Sequence, residues 1–210
     1  MTSLIIVGYG GFGREVYWLA RDCGRDVLGF LDDGVVSGAY GRYKVLGALE
    51  DWKKYPDAEF VVAVGNPRTR KMIVEKMEKT GAPNFATLIH PSVVMDWTAF
   101  EIGSGSMICA GCVGTVDFRV GNHVIINIKC TIAHDDLIGD FVTVAPLAAI
   151  SGNVTLEDGV EVGTGTALRQ GVTMQTGSML GMGGILTKDA EANKIYVGAP
   201  AKPLKELPAF

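Results

Sequence analysis

Only three histidines, His90, His123 and His134, occur in the 210 residues, so a base titrating near neutrality has few candidates. Charge of one sign is missing as well. The 19 basic and 23 acidic residues are spread along the chain and leave a net charge of -4, without the basic stripe that nucleic acid or an anionic membrane requires. Small-molecule ligands are therefore expected. No apolar run reaches the eighteen or so residues of a membrane span, and no Arg/Lys-led apolar leader precedes the first strand. These absences predict a cytoplasmic protein that does not insert into membranes. Cysteine is sparse, at Cys23, Cys109, Cys112 and Cys130, with no disulfide-framework spacing. Cys109 and Cys112 lie inside a repeat and not in a turn suited to zinc, so buried free thiols and no metal site are expected.

Glycine, in contrast, is abundant at 28 residues, concentrated in the first fifty positions and after position 100. Stepping by six from Ile102 meets Ile108, Gly114, Val120, Ile126, Ile132, Ile138, Val144, Ile150, Leu156, Val162, Leu168, Met174, Leu180 and Leu186, all aliphatic except Gly114. Two residues earlier in the hexad stands a small or β-branched residue, as at Ser106, Cys112, Val124, Cys130, Val142 and Ala148. Neither a helix nor an alternating strand keeps this period, so each hexad reads as a short strand plus a corner. Three hexads make one turn of a triangular prism. At about 4.8 Å between coils, roughly five turns form a column on the order of 24 Å tall.

The first half reads differently. Leu4 to Val7 is an apolar run that ends in Gly8-Tyr9-Gly10-Gly11-Phe12-Gly13; a helix is expected from Arg14 to Asp22 and a strand from Val27 to Asp33. Glycines allow close backbone approach to a phosphate, and the helix start offers free amides and a positive dipole. Asp32 and Asp33 follow about twenty residues later, where a carboxylate can accept from a ribose or sugar hydroxyl; the alternative is a solvated strand end. A strand over Glu59 to Gly65, a helix over Thr69 to Thr80 and a fourth strand over Phe85 to Ile89 complete half of a doubly wound sheet. A dinucleotide fold needs two such halves, which favours a mononucleotide-linked ligand over NAD.

The hexads resemble the hexapeptide-repeat acyltransferase superfamily, which implies a left-handed parallel β-helix. With the Gly-x-Gly-Gly-x-Gly turn, Phe30-Leu31-Asp32-Asp33 and Val64-Gly65-Asn66 ahead of the prism, the chain from Leu4 to Lys202 resembles the bacterial sugar O- and N-acyltransferases. These include sialic acid O-acetyltransferases and nucleotide-linked 4-amino-sugar N-acetyltransferases. The resemblance implies a half-Rossmann nucleotide-sugar domain over 1–88, a left-handed β-helix acyltransferase domain over 89–190 and a tail over 191–210. It also implies acetyl-CoA as acyl donor, a nucleotide-linked amino sugar as acceptor with N-acetylation favoured, a role in surface glycan biosynthesis, and a homotrimer.

Acyl transfer from a thioester needs a base for the nucleophile and a donor for the oxyanion. His134 stands two residues past the inward Ile132, where a corner lets it leave the core. By resemblance, His134-Asp135, followed by Ile138-Gly139-Asp140, is the catalytic pair, with Asp135 orienting the ring. The substrate side would comprise Gly10, Gly11, Phe12, Gly13, Asp32, Asp33, Asn66 and Asn127. The coenzyme side would comprise Thr143, Gly152, Gly165, Gly183, Ala199 and Lys202, with the Gly152 amide on the thioester oxygen. His90 and His123 read as structural. Phe12, Thr143 and Leu147 depart from the family pattern, which often has His, His and Gly there. Asp136 falls in an inward slot, where a lone carboxylate costs several kcal/mol; it either bonds His134 or distorts its coil. Two other classes fit less well: a zinc carbonic anhydrase-like enzyme, for which the prism carries too few histidines, and a non-catalytic nucleotide-sugar-binding protein.

Overall fold

A computed structural model describes residues 3–98 and 100–210. The first half contains β1 (Leu4–Val7), α1 (Gly11–Asp22), β2 (Val27–Leu31), β3 (Gly38–Tyr40), β4 (Tyr43–Gly47), a 3-10 turn (Leu49–Lys54), β5 (Glu59–Val62), α2 (Pro67–Glu78) and β6 (Asn84–Phe85). One sheet takes the order β3-β4-β2-β1-β5-β6, parallel throughout except for the β3–β4 hairpin. β1, with every residue buried, runs down the middle. Its neighbours β2 and β5 lie on opposite sides, so the chain changes direction across the sheet there. Such a switch point leaves a crevice beyond the carboxyl ends of the strands. It brings the turn after β1 against the turn after β5: a Cβ on Gly8 would stand 3.1 Å from the Ala63 carbonyl oxygen.

Four sequence expectations change. α1 starts at Gly11, inside the glycine turn, because Gly13 has no Cβ to collide with the Gly8 carbonyl and the helix can begin against the strand end. α2 starts at Pro67, with Asn66 capping it: the Asn66 Oδ1 accepts from the Thr69 amide at 3.0 Å. The strand expected over Phe85 to Ile89 is two pieces that serve different sheets. β6 pairs with β5, whereas β7 (Leu88–Ile89) pairs with Met107–Ile108 of the prism. Finally, residues beyond 190 are no loose tail, since Lys194–Gly198 and Ala201–Glu206 form a hairpin that extends a prism sheet.

From Leu88 onward the chain coils through three parallel sheets, with partners eighteen residues apart, as in Ile125 with Thr143. The first face holds β7 and the strands at Met107, Ile125, Thr143, Glu161, Met179 and Lys194. The second holds those at Val113, Thr131, Ala149, Ala167 and Ile185, and the third those at Phe100, Phe118, Leu137, Thr155 and Thr173. The inward column from Ile108 to Leu186 and the smaller column with Cys112, Val124, Cys130, Val142 and Ala148 form one buried core. Burying each such aliphatic contributes about 1.5–3 kcal/mol, which is why the six-residue period persists.

The corners explain the glycines. Every sixth residue has positive φ, and glycine fills this position at 105, 111, 159, 165, 171, 177 and 183, with Asp117, Asp135 and Asn153 as tolerated substitutes. His123, Lys129, Phe141 and Leu147 adopt the same strained conformation. Glycines in a second set follow the inward aliphatic. At Gly103, a Cβ would press on the backbone of the next coil at Gly121.

The sheet of the first half packs on the first face, since Met107, Cys109 and Ile125 project outward into the same core as Leu4, Ile6 and Phe30. Arg70 fastens the joint. Fully buried, it donates to six oxygens: the carbonyls of Val64, Gly65, His123, Phe141 and Val142 and the Thr143 hydroxyl, at 2.6–3.1 Å. Burial lowers its pKa to about 9, which leaves it charged at neutral pH. All four cysteines are free; three are buried, but Cys23 is only half-buried and donates to the Ile89 carbonyl.

Candidate active site

Each corner of the prism joins two faces and lies opposite the third. His134 and Asp135 occupy the corner between the second and third faces, following the strand Thr131–Ile132. Because Asp135 takes the left-handed conformation (φ 62°), the chain turns outward here and both side chains are about 60% exposed. His134 Nδ1 lies 2.8 Å from Asp135 Oδ2. An ionised carboxylate can only accept, so the Nδ1 proton points to Asp135 and the Nε2 lone pair is left for a ligand.

One coil further on, Gly152 lies against the ring. A Cβ on Gly152 would collide with the imidazole, so glycine is required for His134 to lie flat along the corner. The Gly152 amide donates to no protein acceptor among the described residues, while its neighbour Asn153 donates to the His134 carbonyl at 2.8 Å. The corner thus presents an imidazole nitrogen and a backbone N–H on successive coils.

Asp136 braces this corner from inside. It is fully buried and accepts from the Ala133 amide at 2.9 Å and the Val154 amide at 2.8 Å, which ties two coils together. The expected choice between bonding His134 and distorting the coil is therefore corrected. Two backbone amides satisfy the carboxylate and the coil stays regular. Burial still dominates these bonds and raises its pKa to about 6.

The other histidines occupy different settings. His123 sits at the corner between the third and first faces, 5% exposed, stacked on Phe141 at 5.2 Å and edge-on to Phe85 at 4.6 Å. Burial and nearby Arg70 push its pKa down to about 4. His90 lies between Asp22 (Nε2 to Oδ2, 3.0 Å) and Ser92 (Nδ1 to Oγ, 2.7 Å). This Asp-His-Ser series has the order of a nucleophile relay. However, the Ser92 hydroxyl also accepts from the Gly111 amide and the Ser92 amide turns back to His90, so the group pins the link between the halves.

Among the expected substrate residues, the sheet brings Gly10, Gly11, Phe12, Gly13, Asp32, Asp33 and Asn66 to one end. Gly10 and Gly11 are exposed with open space beside them, and no described acceptor takes their amides. Phe12 instead packs against the core. Asp32 accepts from the Tyr9 and Gly34 amides at 2.8 Å each, and Asp33 accepts from the Leu49 amide at 2.7 Å. These carboxylates thus shape the turns, and the bonds expected from a ligand hydroxyl would come in addition. Asn66 is committed to its helix cap in the same way. Asn127 lies one face away from His134, with its Oδ1 on the Ile128 amide.

The expected coenzyme residues are dispersed. Gly152 adjoins His134, whereas Gly165 and Gly183 line the corner between the first and second faces, both with φ +66° and open space. Ala199 and Lys202 belong to the final hairpin, where Lys202 is exposed. Thr143 departs from expectation: its hydroxyl donates to the Gly65 carbonyl at 2.7 Å and accepts from Arg70, so it is a buried part of the joint. The sequence reading missed Arg70, although it falls on the stripe Arg70-Val74-Met77 that α2 buries, where a charge needs a reason. Among the described residues no group of three His, Cys, Asp or Glu could hold a metal, and no helix is long and apolar enough to cross a membrane.

Comparison with known proteins places the fold. Residues 3–77 match the PglD N-terminal domain. UDP-N-acetylbacillosamine N-acetyltransferase of Bacillus subtilis (strain 168) is 35% identical over 116 residues, 52% of this chain; the match spans about half, 52%, of that relative's length. The acetyltransferase domain of PglB from Neisseria gonorrhoeae FA1090 superposes with a TM-score of 0.90 at 32% identity, covering 97% of this chain and 100% of that one. The same domain is known in complex with acetyl coenzyme A. PerB from Caulobacter crescentus, in complex with CoA and GDP-perosamine, gives a TM-score of 0.89 at 26% identity, with 98% of both chains covered. With a half-Rossmann sheet fastened to a left-handed parallel β-helix, the chain belongs to the PglB- and PglD-type sugar acetyltransferases of the hexapeptide-repeat superfamily.

Proposed function

We propose that this protein transfers the acetyl group of acetyl-CoA to the amine of a nucleotide-linked amino sugar, in the cytoplasm, for bacterial surface glycan biosynthesis. The observation that carries this reading is the exposed His134–Asp135 pair beside the Gly152 amide. In this mechanism His134 Nε2 removes the proton as the acceptor amine attacks the thioester carbon, and Asp135 holds the imidazolium that results. The Gly152 amide donates to the oxyanion. As the carbon–sulfur bond breaks, the proton passes to the departing thiolate. Among the relatives, an N-acetyltransferase that acts on a UDP-linked sugar and a complex with CoA and GDP-perosamine support nitrogen as the nucleophile and a nucleotide carrier.

Residues 1–88 are assigned to the acceptor and 89–190 to the acyl donor, with Gly10, Gly11 and Gly13 approaching the nucleotide phosphates. Gly165, Gly183, Ala199 and Lys202 are assigned to the coenzyme. Thr143 leaves that set because the joint uses its hydroxyl. A homotrimer is part of this reading, and the topology supports a site shared between chains. The glycine turn rides on the first face and His134 stands at the corner opposite that face, so a chain's own halves hold the two sites apart. A neighbouring chain would supply the missing half. The second face suits such a neighbour, for its outward residues are small in the middle, at Thr131, Ala149 and Ala167, and exposed and apolar at the ends, at Val113 and Ile185.

Thiol release from acetyl-CoA against a panel of nucleotide-linked amino sugars tests the chemistry; no release with any member would reject it. Mixing tests the assembly. His134→Ala chains and Gly11→Val chains, each impaired alone, should regain part of their activity when unfolded and refolded together. Activity no higher than the sum of the separate preparations would place both sites in one chain.

A further inference from the structure

The switch-point end of the sheet carries more aromatic surface than the core needs. Tyr9, Tyr17, Phe30 and Tyr43 pack on one another with ring centroids 5.1–5.9 Å apart. Tyr40 differs from these. It ends the three-residue edge strand β3, in which every residue is exposed, so its ring is not consumed by the core. Yet the ring is held in place. Its hydroxyl donates to the Val36 carbonyl at 2.8 Å, and it lies against the Tyr9 ring at 5.5 Å with a tilt of 40°. Tyr9 is itself anchored, with its amide on Asp32 at 2.8 Å. Beside it Val36 is 80% exposed. A rigidly held aromatic face at the surface is a ready-made stacking surface for a planar ligand.

The charge nearby has a matching asymmetry. The first turn of α1 contains no acidic residue. Instead Arg14 stands there, over the Tyr9 ring at 5.7 Å and 3.4 Å from the Tyr9 carbonyl. A cation in the first helical turn opposes the dipole and is favourable chiefly when an anion faces it. Tyr9 therefore connects a locus for an anion, at Gly10, Gly11 and Arg14, to an aromatic surface at Tyr40.

We infer that Tyr40 is the platform on which the nucleobase of the acceptor stacks, with the diphosphate on the glycine turn. This inference rests on the reading of the first half as the nucleotide-sugar site. Stacking uses the π-face that all bases share, so recognition through Tyr40 tolerates different bases. Because the ring is already immobilised, little side-chain freedom is lost on binding.

Calorimetric titration of the full chain with UDP, dTDP and GDP, and with inorganic pyrophosphate, provides the test for wild type, Tyr40→Phe and Tyr40→Leu. The three nucleotides should bind wild type within about tenfold of one another. Tyr40→Phe, which keeps the ring, should remain within about threefold, and Tyr40→Leu should weaken all three by roughly ten- to a hundredfold. Pyrophosphate, which has no base, should bind all three proteins alike, and unchanged melting temperatures would show that the hairpin survives. Wild-type affinity for nucleotides in Tyr40→Leu, or a loss confined to one base, would overturn the inference and leave the glycine-turn reading standing. Failure of wild type to bind any of the three would overturn both.

Discussion

His123 and His134 lie on the same coil at neighbouring corners of its third face, and the fold treats them in opposite ways. His123 is itself the left-handed corner residue, so its ring falls back over the joint and is enclosed by Phe85 and Phe141. His134 precedes the corner residue, Asp135, and its ring projects from a corner that the first half does not cover. A displacement of one residue within the hexad separates an imidazole held neutral in an aromatic seam from one open to ligands. The chemistry of a histidine in a prism depends on its phase in the repeat and on what packs against that corner.

The strongest way to break this comparison is to remove the exposed ring. His134→Ala should lower kcat by roughly 10²- to 10⁴-fold, the usual span for a general base. Its melting temperature should stay close to wild type, since no core contact is lost. Asp135→Asn should cost less, because an acid that only orients the ring leaves the base in place. Steady-state thiol release and thermal melting check both, and near-normal turnover in His134→Ala would remove His134 from the mechanism.

The enclosed ring should give the reverse pattern. His123→Ala removes a buried aromatic from between two others and leaves a cavity, for which a loss on the order of 3 kcal/mol is expected. Chemical denaturation would measure it. Because Arg70 also donates to the His123 carbonyl, which every substitution keeps, the joint should persist. Activity per folded molecule should therefore fall far less than in His134→Ala; an equal fall would mean that the joint, and not phase in the repeat, governs catalysis.

What could be read before the structure was known follows the same logic of repetition. The inward column from Ile108 to Leu186 repeats one burial decision many times, and the glycine turn concentrates several backbone demands in six residues. The hairpin of β3 and β4 was not legible, because every residue of β3 is exposed and the strand shows no alternation. The division of residues 84–89 between two sheets was hidden too, since a pairing partner leaves no local mark. Arg70 stood in plain view on an apolar stripe, but its six acceptors come from segments up to 73 residues away. The His134–Asp135 pair was legible as a corner, whereas its neighbour Gly152 could be placed beside the ring only by analogy with relatives.

The smallest effect concerns acid. Burial acts on His123 and Asp136 in opposite directions on proton binding. His123 has a folded pKa of about 4 against an ordinary value of 6.5. In that window the unfolded chain binds the proton and the native chain does not, so its stabilising contribution is complete above pH 6.5 and is lost as pH falls towards 4. Asp136 has a folded pKa of about 6 against 3.8. Here the native chain binds the proton first, so its contribution is complete below pH 3.8 and is lost as pH rises through 6. Between about pH 4 and 6 the two nearly cancel; Glu161, also raised by burial, adds to the Asp136 side. Asp136→Asn should lose a fixed amount at every pH, because one of the two amides it serves faces an NH2 group, but its slope is the informative quantity. With the carboxylate gone, His123 is opposed by less, and the variant should lose about 2 kcal/mol more than wild type between pH 6.5 and 4.5. Denaturation midpoints across that range decide it. Parallel curves for wild type and Asp136→Asn would mean that Asp136 keeps an ordinary carboxylate pKa despite its burial, and that its two amide bonds, not desolvation, dominate the corner beneath His134.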